Sequence, residues 1–297
     1  MVTKAELEKM LRPHLAFVLK YRPPVMKRGA PKPREPQPRG PDMARAGRAV
    51  AKEIAPGRLP FKATAEYLVG HANAGVRFAG AFALAALPLR EWRWHVALAE
   101  RLADDENWEV REAAVSAFRP LLEHDYGRAV KLLRRWATGG NVNLQRAAAL
   151  AVMVAQRRPW PGPVADIFDV LAPLMAVRAE YVRKNLGPFA IGSSIGRHYP
   201  EETLSFLRKM MKAGDEQTRW NVAMAFNQSF GVHNPELALP FLTKLAADES
   251  KYVRTAAASS LRNIGRRHPR LVKPLLKKWE KEAKRQEVAA RVAKFLK

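Results

Sequence analysis

The amino-acid sequence predicts an all-α fold, a right-handed superhelical solenoid of stacked helical pairs. Two observations predict it. A segment of the type Val-Arg-x-x-Ala returns at nearly constant spacing along the 297 residues, and short segments containing His precede apolar runs at helical spacing. Self-similarity at a period of about 20–50 residues is typical of arrays in which each helical pair buries its apolar faces against its neighbours. No alternation typical of a strand stands out.

The register of the repeat is set by six arginines, which follow one another at intervals of 34, 35, 37, 36 and 35 residues. They are Arg77, Arg111, Arg146, Arg183, Arg219 and Arg254. Such a period predicts two antiparallel helices per repeat. Ala-rich runs such as residues 147–152 let neighbouring helices approach closely, so we place the arginines on the second helix of each pair. We expect these second helices to line a concave surface.

The first helices have a recurring start. The apolar runs follow segments that contain His124, His198, His233 or His268. Because these histidines are spread one per repeat, we expect turn residues and not a metal site. The chain has no cysteine, which excludes thiolate metal ligands and disulfides. No metal or other cofactor is expected.

The balance of charge points to a polyanionic partner. Lys and Arg number 52 against 28 acidic residues, which gives a formal net charge of +24 and a pI near 10.7. Nucleic acid is the expected polyanion, and an anionic membrane surface is the alternative. The sequence shows neither the apolar core of a signal peptide nor a membrane-spanning stretch of about 18 apolar residues. A monomeric cytoplasmic protein is therefore expected.

The N-terminal part differs in composition from the rest, and we predict three segments: an N-terminal helix over 1–20, a strap or linker over 21–41, and the repeat domain over 42–297. Thr3 and Glu6 have the spacing of a capping box, which predicts a helix from Lys4 to Lys20. The strap is rich in Pro, Arg and Lys, and its prolines exclude a helix. It is interpreted either as a basic spacer or as a phosphate-contacting arm.

Inside the repeat domain we expect helices from Asp42 to Ile54 and from Pro60 to Val69. An insert over 159–163, with three prolines, makes the repeat that contains it the least regular.

The position directly after each aligned arginine differs in charge between the repeats. The residues that follow the six aligned arginines are Phe78, Glu112, Ala147, Lys184, Trp220 and Thr255. Glu112 is the one acid among them, and it lies four residues after Trp108, so both share one face of a helix. Glu112 is interpreted either as an ion-pair partner of a neighbouring arginine or as a carboxylate of a site, and Trp108 either as a core residue or as the aromatic wall of that site. Trp220 is expected to be more open than Trp136 and Trp279.

Three segments carry a resemblance to a known family. They are Trp108-Glu109-Val110-Arg111-Glu112-Ala113-Ala114, Leu144-Gln145-Arg146-Ala147-Ala148, and Tyr181-Val182-Arg183-Lys184-Asn185-Leu186-Gly187-Pro188-Phe189-Ala190-Ile191-Gly192. From about Phe61 onwards the chain resembles the HEAT-like bacterial DNA alkylation repair glycosylases of the AlkC/AlkD superfamily. The resemblance implies Trp108, Glu112 and Arg146 as the catalytic set. The chain has Glu112 where one branch has Asp, and Pro188-Phe189 where a further Trp is expected near Gly187.

The function expected from these observations is hydrolysis of the N-glycosidic bond of alkylated, cationic purines in duplex DNA. DNA contacts are expected from Arg77, Arg111, Arg183, Lys184, Arg219, Trp220 and Arg254. Two alternatives stay open: a non-catalytic module that binds nucleic acid, and a scaffold that binds an acidic protein partner in the concave groove.

Overall fold

The computed structural model describes residues 2–23, 36–153 and 159–296, and the chain forms two compact units, Met1–Lys131 and Leu132–Lys297. The helices that begin in the first unit are α1 (Lys4–Leu15), α2 (Gly40–Ile54), α3 (Phe61–Val69), α4 (Ala74–Ala86), α5 (Trp92–Ala103), α6 (Trp108–Ala114), α7 (Phe118–His124) and α8 (Tyr126–Thr138). The boundary between the units falls within α8. The division of the chain into the segments 1–20, 21–41 and 42–297 stays a prediction.

The remaining helices belong to the second unit. They are α9 (Val142–Ala151), α10 (Val164–Leu171), α11 (Glu180–Asn185), α12 (Gly196–His198), α13 (Pro200–Ala213), α14 (Glu216–Ala225), α15 (Ser229–His233), α16 (Pro235–Leu245), α17 (Lys251–Arg267), α18 (Pro269–Trp279) and α19 (Gln286–Ala293). No residue described by the structure lies in a strand. The predicted all-α solenoid of helical pairs is confirmed, and the handedness of its superhelix stays a prediction.

The second helices pack on one another inside each unit. Helix α4 contacts both α2 and α6 in the first unit, and α17 contacts both α14 and α19 in the second. Small residues make this possible: a Cβ placed on Gly47 of α2 would lie 2.0 Å from the carbonyl oxygen of Ala79 in α4. The backbones of α2 and α4 therefore cross at direct contact. All six aligned arginines lie on second helices, as predicted.

The N-terminal segment follows the prediction in part. The capping box of Thr3 and Glu6 is present, but α1 ends at Leu15 and a separate 3-10 turn spans Val18–Lys20. The prediction of one helix to Lys20 is therefore wrong. The chain turns after Leu15 because this brings Val18 and Tyr21 into the core, where they are 1% and 5% exposed.

The strap prediction falls mainly on residues 24–35, which lie outside the described residues. The residues on either side of this segment are in contact: the backbone N–H of Arg22 donates to Oε1 of Gln37 at 3.1 Å. The helix that follows begins at Gly40, two residues before the predicted start, and the Asp42 carboxylate accepts from the N–H of Arg39.

The repeat that contains the proline-rich insert is irregular, as predicted. Its first helix, α10, is followed by a 3-10 turn, and its second helix is divided into α11, a π-helix over Leu186–Ile195, and α12. Pro188 lies in the π-helix and has no N–H to donate, and the hydroxyl of Ser193 donates to its carbonyl oxygen at 3.0 Å. A proline and a side-chain hydrogen bond thus interrupt the regular helical ladder.

The recurring histidines lie at helix ends. His124 and His233 are the last residues of α7 and α15, and His268 is the N-cap of α18. The ring of His268 is hydrogen-bonded to the carbonyl oxygen of Val232 at 2.7 Å, and that of His198 to the carbonyl oxygen of Ser194 at 2.9 Å. Their expected role as turn residues is confirmed. In the described part of the chain no helix is long and apolar enough to span a bilayer.

Arginines of the second helices hold the turns that join each helical pair. Nη1 of Arg77 donates to the carbonyl oxygens of His71 and Ala72, both at 2.9 Å. Its other nitrogens form a two-bond pair with the Asp105 carboxylate at 2.6 and 2.9 Å. The side chains are only 9% and 7% exposed. Asp105, with Glu106 as an exposed second partner, holds the pKa of Arg77 above its usual value.

The same arrangement recurs further along the chain. Arg219 donates to the carbonyl oxygen of Gly214 at 3.1 Å and pairs with Asp248 at 2.7 Å. Arg254 donates to the carbonyl oxygens of Asp248 and Glu249 and pairs with Glu287 at 2.9 Å. Each of these arginines thus joins the turn of its own pair to an acid of the next repeat.

We predict that Asp105→Ala lowers the free energy of unfolding of the first unit by about 3 kcal/mol, because it leaves the Arg77 guanidinium buried without its main counter-charge. Glu106→Ala is the matched control, since Glu106 pairs with the same guanidinium but is 84% exposed; we expect less than about 1 kcal/mol there. Urea unfolding followed by circular dichroism measures both. Equal effects of the two variants would contradict the assigned role of the buried pair.

Candidate functional site

Trp108 and Glu112 lie together on one face of helix α6. The helix begins at Trp108 because Asn107 caps it: the Asn107 side-chain oxygen accepts from the N–H groups of Glu109 and Val110 at 2.9 and 3.3 Å. Val110, Ala113 and Ala114 form its buried face. Trp108 is 44% exposed, and Glu112 is exposed as well.

An indole and a carboxylate therefore face solvent from consecutive turns of a short helix. The interpretation of Trp108 as a core residue is wrong. Both interpretations of Glu112, as ion-pair partner or as carboxylate of a site, stay predictions.

The loop before α6 is fixed by charge. Asp105, held by Arg77, also accepts the N–H of Asn107 at 2.8 Å. From inside α6, Nη1 of Arg111 donates back to the carbonyl oxygens of Asp105 and Glu106 at 2.5 and 3.0 Å. The N-cap of α6 is thus clamped from both sides, which fixes the direction of the helix that carries Trp108.

The N-terminal segment supports the same helix. The hydroxyl of Tyr21 donates to the Glu109 carboxylate, in the first turn of α6. Asn73, the N-cap of α4, donates to the carbonyl oxygens of Leu19 and Tyr21 at 3.1 and 3.2 Å. A Cβ on Gly75 would lie 2.6 Å from the Cβ of Tyr21. Tyr21 can pack here because position 75 has no side chain. Burial, followed by Glu109, raises the pKa of Tyr21 well above its usual value.

The expected DNA contacts fall into two groups. Arg77, Arg111, Arg219 and Arg254 form the turn and ion-pair contacts described above. Lys184 is exposed and pairs with Glu180 on its own helix at 2.5 Å. The structure thus gives these residues defined roles inside the protein, and their contact with phosphate stays a prediction.

The second group consists of Arg183 and Trp220, which make aromatic contacts within the second unit. Trp220 is more exposed than Trp136 and Trp279, as expected, but at 8% it is still buried, and it stacks on Tyr252 with the ring centroids 5.4 Å apart. The guanidinium of Arg183 lies over the Trp220 ring at 5.0 Å. Arg183 also lies 5.8 Å from the Tyr252 ring, so the three side chains pack together, an arrangement that the repeat register alone does not specify. Trp136 and Trp279 are core residues, as expected, at 2% and 1% exposure.

Arg146, the third residue of the predicted catalytic set, lies on α9 in the second unit. It is 3% exposed, and its guanidinium lies over the ring of Tyr181 at 4.5 Å. The structure thus brings Trp108 and Glu112 together on α6, and it buries Arg146 against Tyr181.

Several residues with clear roles were not expected from the sequence. Asp105 and Asp248 receive the arginines of the preceding repeat, and Tyr21 and Tyr252 complete the contacts of Glu109 and Trp220. The two aspartates had a usable signal, since they follow Arg77 and Arg219 by 28 and 29 residues. Tyr252 had one too, since it stands two residues before Arg254 as Tyr181 stands two before Arg183. Tyr21 had none, because it lies outside the repeats, 88 residues before Glu109.

Comparison with known proteins supports the repeat architecture. Two family models, both described as HEAT repeats, match residues 97–125 and 169–262. A search of curated proteins gave no match.

Among solved structures, smu.31 from Streptococcus mutans UA159 is 17% identical with a TM-score of 0.37, and the match covers 86% of this chain and 100% of that one. AlkD2 from Streptococcus mutans has the same identity and TM-score, and the match covers 86% of this chain and 99% of that one. A designed armadillo repeat protein in complex with peptide (KR)4 is 16% identical with a TM-score of 0.28, over 99% of this chain and 94% of that one. At this distance the similarities do not identify a function.

The buried tyrosine predicts a specific dependence on pH. The pKa of Tyr21 is raised on folding, so its hydroxyl contributes stability that is complete below the unfolded pKa of about 10 and is lost as the pH rises further. We expect the difference in unfolding free energy between the wild type and Tyr21→Phe to be constant near neutral pH and to shrink above about pH 10. Urea unfolding at a series of pH values measures it.

Tyr21→Phe keeps the ring but lacks the titrating hydroxyl, so the subtraction removes the titration of all other groups. A difference that stays constant through alkaline pH would contradict the assigned contact with Glu109.

Proposed function

We propose that the chain is a DNA-binding repair protein that hydrolyses the N-glycosidic bond of alkylated, cationic purines, with Trp108 and Glu112 at its reaction site. One observation carries this proposal: an exposed indole and an exposed carboxylate share a face of helix α6, in a chain whose net charge is +24. A positively charged protein attracts duplex DNA, and this pair presents the two groups that the chemistry needs.

The aromatic group fits a cationic base. The face of an indole carries negative electrostatic potential and attracts a cation placed over it. A purine alkylated on the ring carries a positive charge, whereas an unmodified base does not. Trp108 would therefore favour the damaged base over its undamaged neighbours, and its 44% exposure leaves ring surface accessible for contact.

The carboxylate fits the bond-breaking step. The bond between C1′ and the base nitrogen breaks, and its electron pair leaves with the base, which becomes neutral. Positive charge develops on the sugar, and an ionised carboxylate stabilises it. A water oxygen then bonds to C1′, and its proton passes to Glu112. Little protonation of the leaving base is required, because the base leaves as a neutral molecule, so a single carboxylate suffices.

Arg146 enters the proposal as a positioning residue. It is 3% exposed and lies over Tyr181, which does not fit direct contact with a base. The expected phosphate contacts of Arg77, Arg111, Arg183, Lys184, Arg219 and Arg254 also remain part of the proposal.

The second candidate is a non-catalytic HEAT module that binds nucleic acid. The net charge of +24 favours it equally, because electrostatic attraction to phosphate requires no chemistry at Glu112. The two candidates differ in the effect of the carboxylate. In the enzyme Glu112 promotes the reaction, and in the module it only repels the polyanion.

We predict that wild-type protein releases methylated purines from methylated duplex DNA, and that Glu112→Gln lowers the single-turnover rate by about 100-fold or more, since it removes the charge that stabilises the sugar and accepts the proton. The matched control is Glu123→Gln, which removes an exposed carboxylate that pairs with Arg119 and should leave the rate unchanged. Chromatography of the released bases gives the rate.

Wild-type protein that binds DNA without releasing base would exclude the enzyme and leave the binding module. In that case Glu112→Gln should bind DNA more tightly than the wild type. Base release that survives in Glu112→Gln would show that the reaction occurs elsewhere in the protein.

Binding to DNA should depend steeply on salt. If the chain neutralises about six or more phosphates, its affinity should fall by about 1,000-fold or more between 50 and 200 mM salt, because condensed counterions are released on binding. Titration of an unmodified duplex by fluorescence anisotropy measures this. A polyglutamate peptide added in excess is the competitor; equal binding of the peptide and the duplex would favour an acidic protein partner instead.

A further inference from the structure

Helix α18 presents an exposed basic face. It carries Arg270, Lys273, Lys277 and Lys278 and no acidic residue. Arg270, Lys273 and Lys277 follow one another at helical spacing, so their side chains project from the same side. All three are exposed. The opposite side of the helix is the packed one, with Val272, Leu276 and Trp279 buried.

This concentration of charge is not shared by the other first helices of the second unit. Helix α10 carries Asp166 and Asp169 and no base, and α16 carries Glu236 with Lys244. Helix α13 carries the exposed Arg208, Lys209 and Lys212 but begins with the acids Glu201 and Glu202. Helix α8, a first helix that begins in the first unit, carries exposed Arg128, Lys131 and Arg135 at the same spacing, but there Arg128 pairs with Asp125 at 3.8 Å. What distinguishes α18 is that none of its cations forms an ion pair with a described residue.

The cations of α18 have no acidic partner among the described residues. Elsewhere in the second unit, Arg219 and Arg254 are engaged with Asp248 and Glu287. Within the described residues, no ion pair involves Arg270, Lys273 or Lys277, and their charges are balanced only by solvent ions. Release of such ions is what drives association with a polyanion.

We propose that the exposed face of α18 binds the phosphate backbone of duplex DNA through Arg270, Lys273 and Lys277, as a contact distinct from helix α6. The inference rests on the DNA-binding part of the proposed function and not on base excision. Residues 270 to 277 span about 10 Å along the helix axis. One strand of duplex DNA presents about three phosphates over that length, so three cations and three phosphates can face one another.

Duplex DNA fits this face better than a membrane surface. A helix that binds at a lipid interface inserts an apolar side into the bilayer, and the apolar side of α18 is buried in its own unit. Leu271 is exposed at 48%, but it lies about 100° around the helix from Arg270 and away from Lys277. On the basic face itself the apolar group is the small ring of the exposed Pro274, which lies between Arg270 and Lys277.

The test compares two triple variants that lose the same charge. Arg270→Gln, Lys273→Gln and Lys277→Gln together remove the proposed contact. Lys209→Gln, Lys212→Gln and Lys244→Gln together remove three exposed cations from α13 and α16 of the same unit. Each protein is titrated with an unmodified DNA duplex between 50 and 200 mM salt, and the slope of log affinity against log salt is determined.

We expect the α18 variant to reduce the magnitude of this slope by about 2.7, at about 0.9 per phosphate contact. Over that range of salt the wild type should lose about 40-fold more affinity than the α18 variant. The control variant should keep the wild-type slope. Equal slopes for all three proteins, or equal reductions in both variants, would overturn the proposal.

Lysine acetylation provides a readout that needs no variant. With wild-type protein and acetic anhydride, bound duplex should protect Lys273 and Lys277, and leave Lys209 and Lys212 reactive. Vesicles of phosphatidylcholine and phosphatidylserine form the last arm. Protection by vesicles and none by DNA would overturn the assignment in favour of a membrane surface. Binding of DNA through α18 without release of methylated base would contradict the proposed catalysis and leave this inference standing.

Discussion

The buried arginine that ties a turn to the next repeat is the interaction on which the array depends. A guanidinium has five N–H donors in a rigid plane, and Arg77 uses them on two carbonyl oxygens of its own turn and on the carboxylate of Asp105. The turn carbonyls would otherwise lack partners at the end of a helical pair. One side chain thus satisfies the turn and fixes the spacing to the next repeat, which accounts for the arginines at positions 77, 219 and 254 of the series.

Because several arginines form ion pairs inside the protein, not all of its positive charge is available to a polyanionic partner. Arginines that serve as structural clamps carry charge that is already balanced by Asp105, Asp248 or Glu287. Attraction of a polyanion must then come more from exposed cations, such as those of α18. The same clamp serves the candidate site, since Asp105 also holds Asn107 and thereby the first turn of α6. The loop that joins the repeats therefore also positions the helix that carries Trp108 and Glu112.

The fold could be predicted from the sequence much further than the site. Period, helix type and the placement of six arginines follow from local patterns, and the structure confirms them. Burial of Trp220 and the support of Glu109 by Tyr21 could not be predicted, because both depend on side chains that meet only after folding. The partners of a periodic arginine could have been found by searching for acids at a second fixed interval. Trp108 could not be assigned by composition, because a tryptophan at a helix start fits core and surface equally well.

The contact between Gly47 and the carbonyl oxygen of Ala79 also bears on how the chain can diverge. A side chain at position 47 would enter the backbone of α4, so relatives that retain this N-terminal pair should retain glycine there. A relative without α2 is released from that restriction. Glycine at this position therefore indicates direct backbone contact between two second helices.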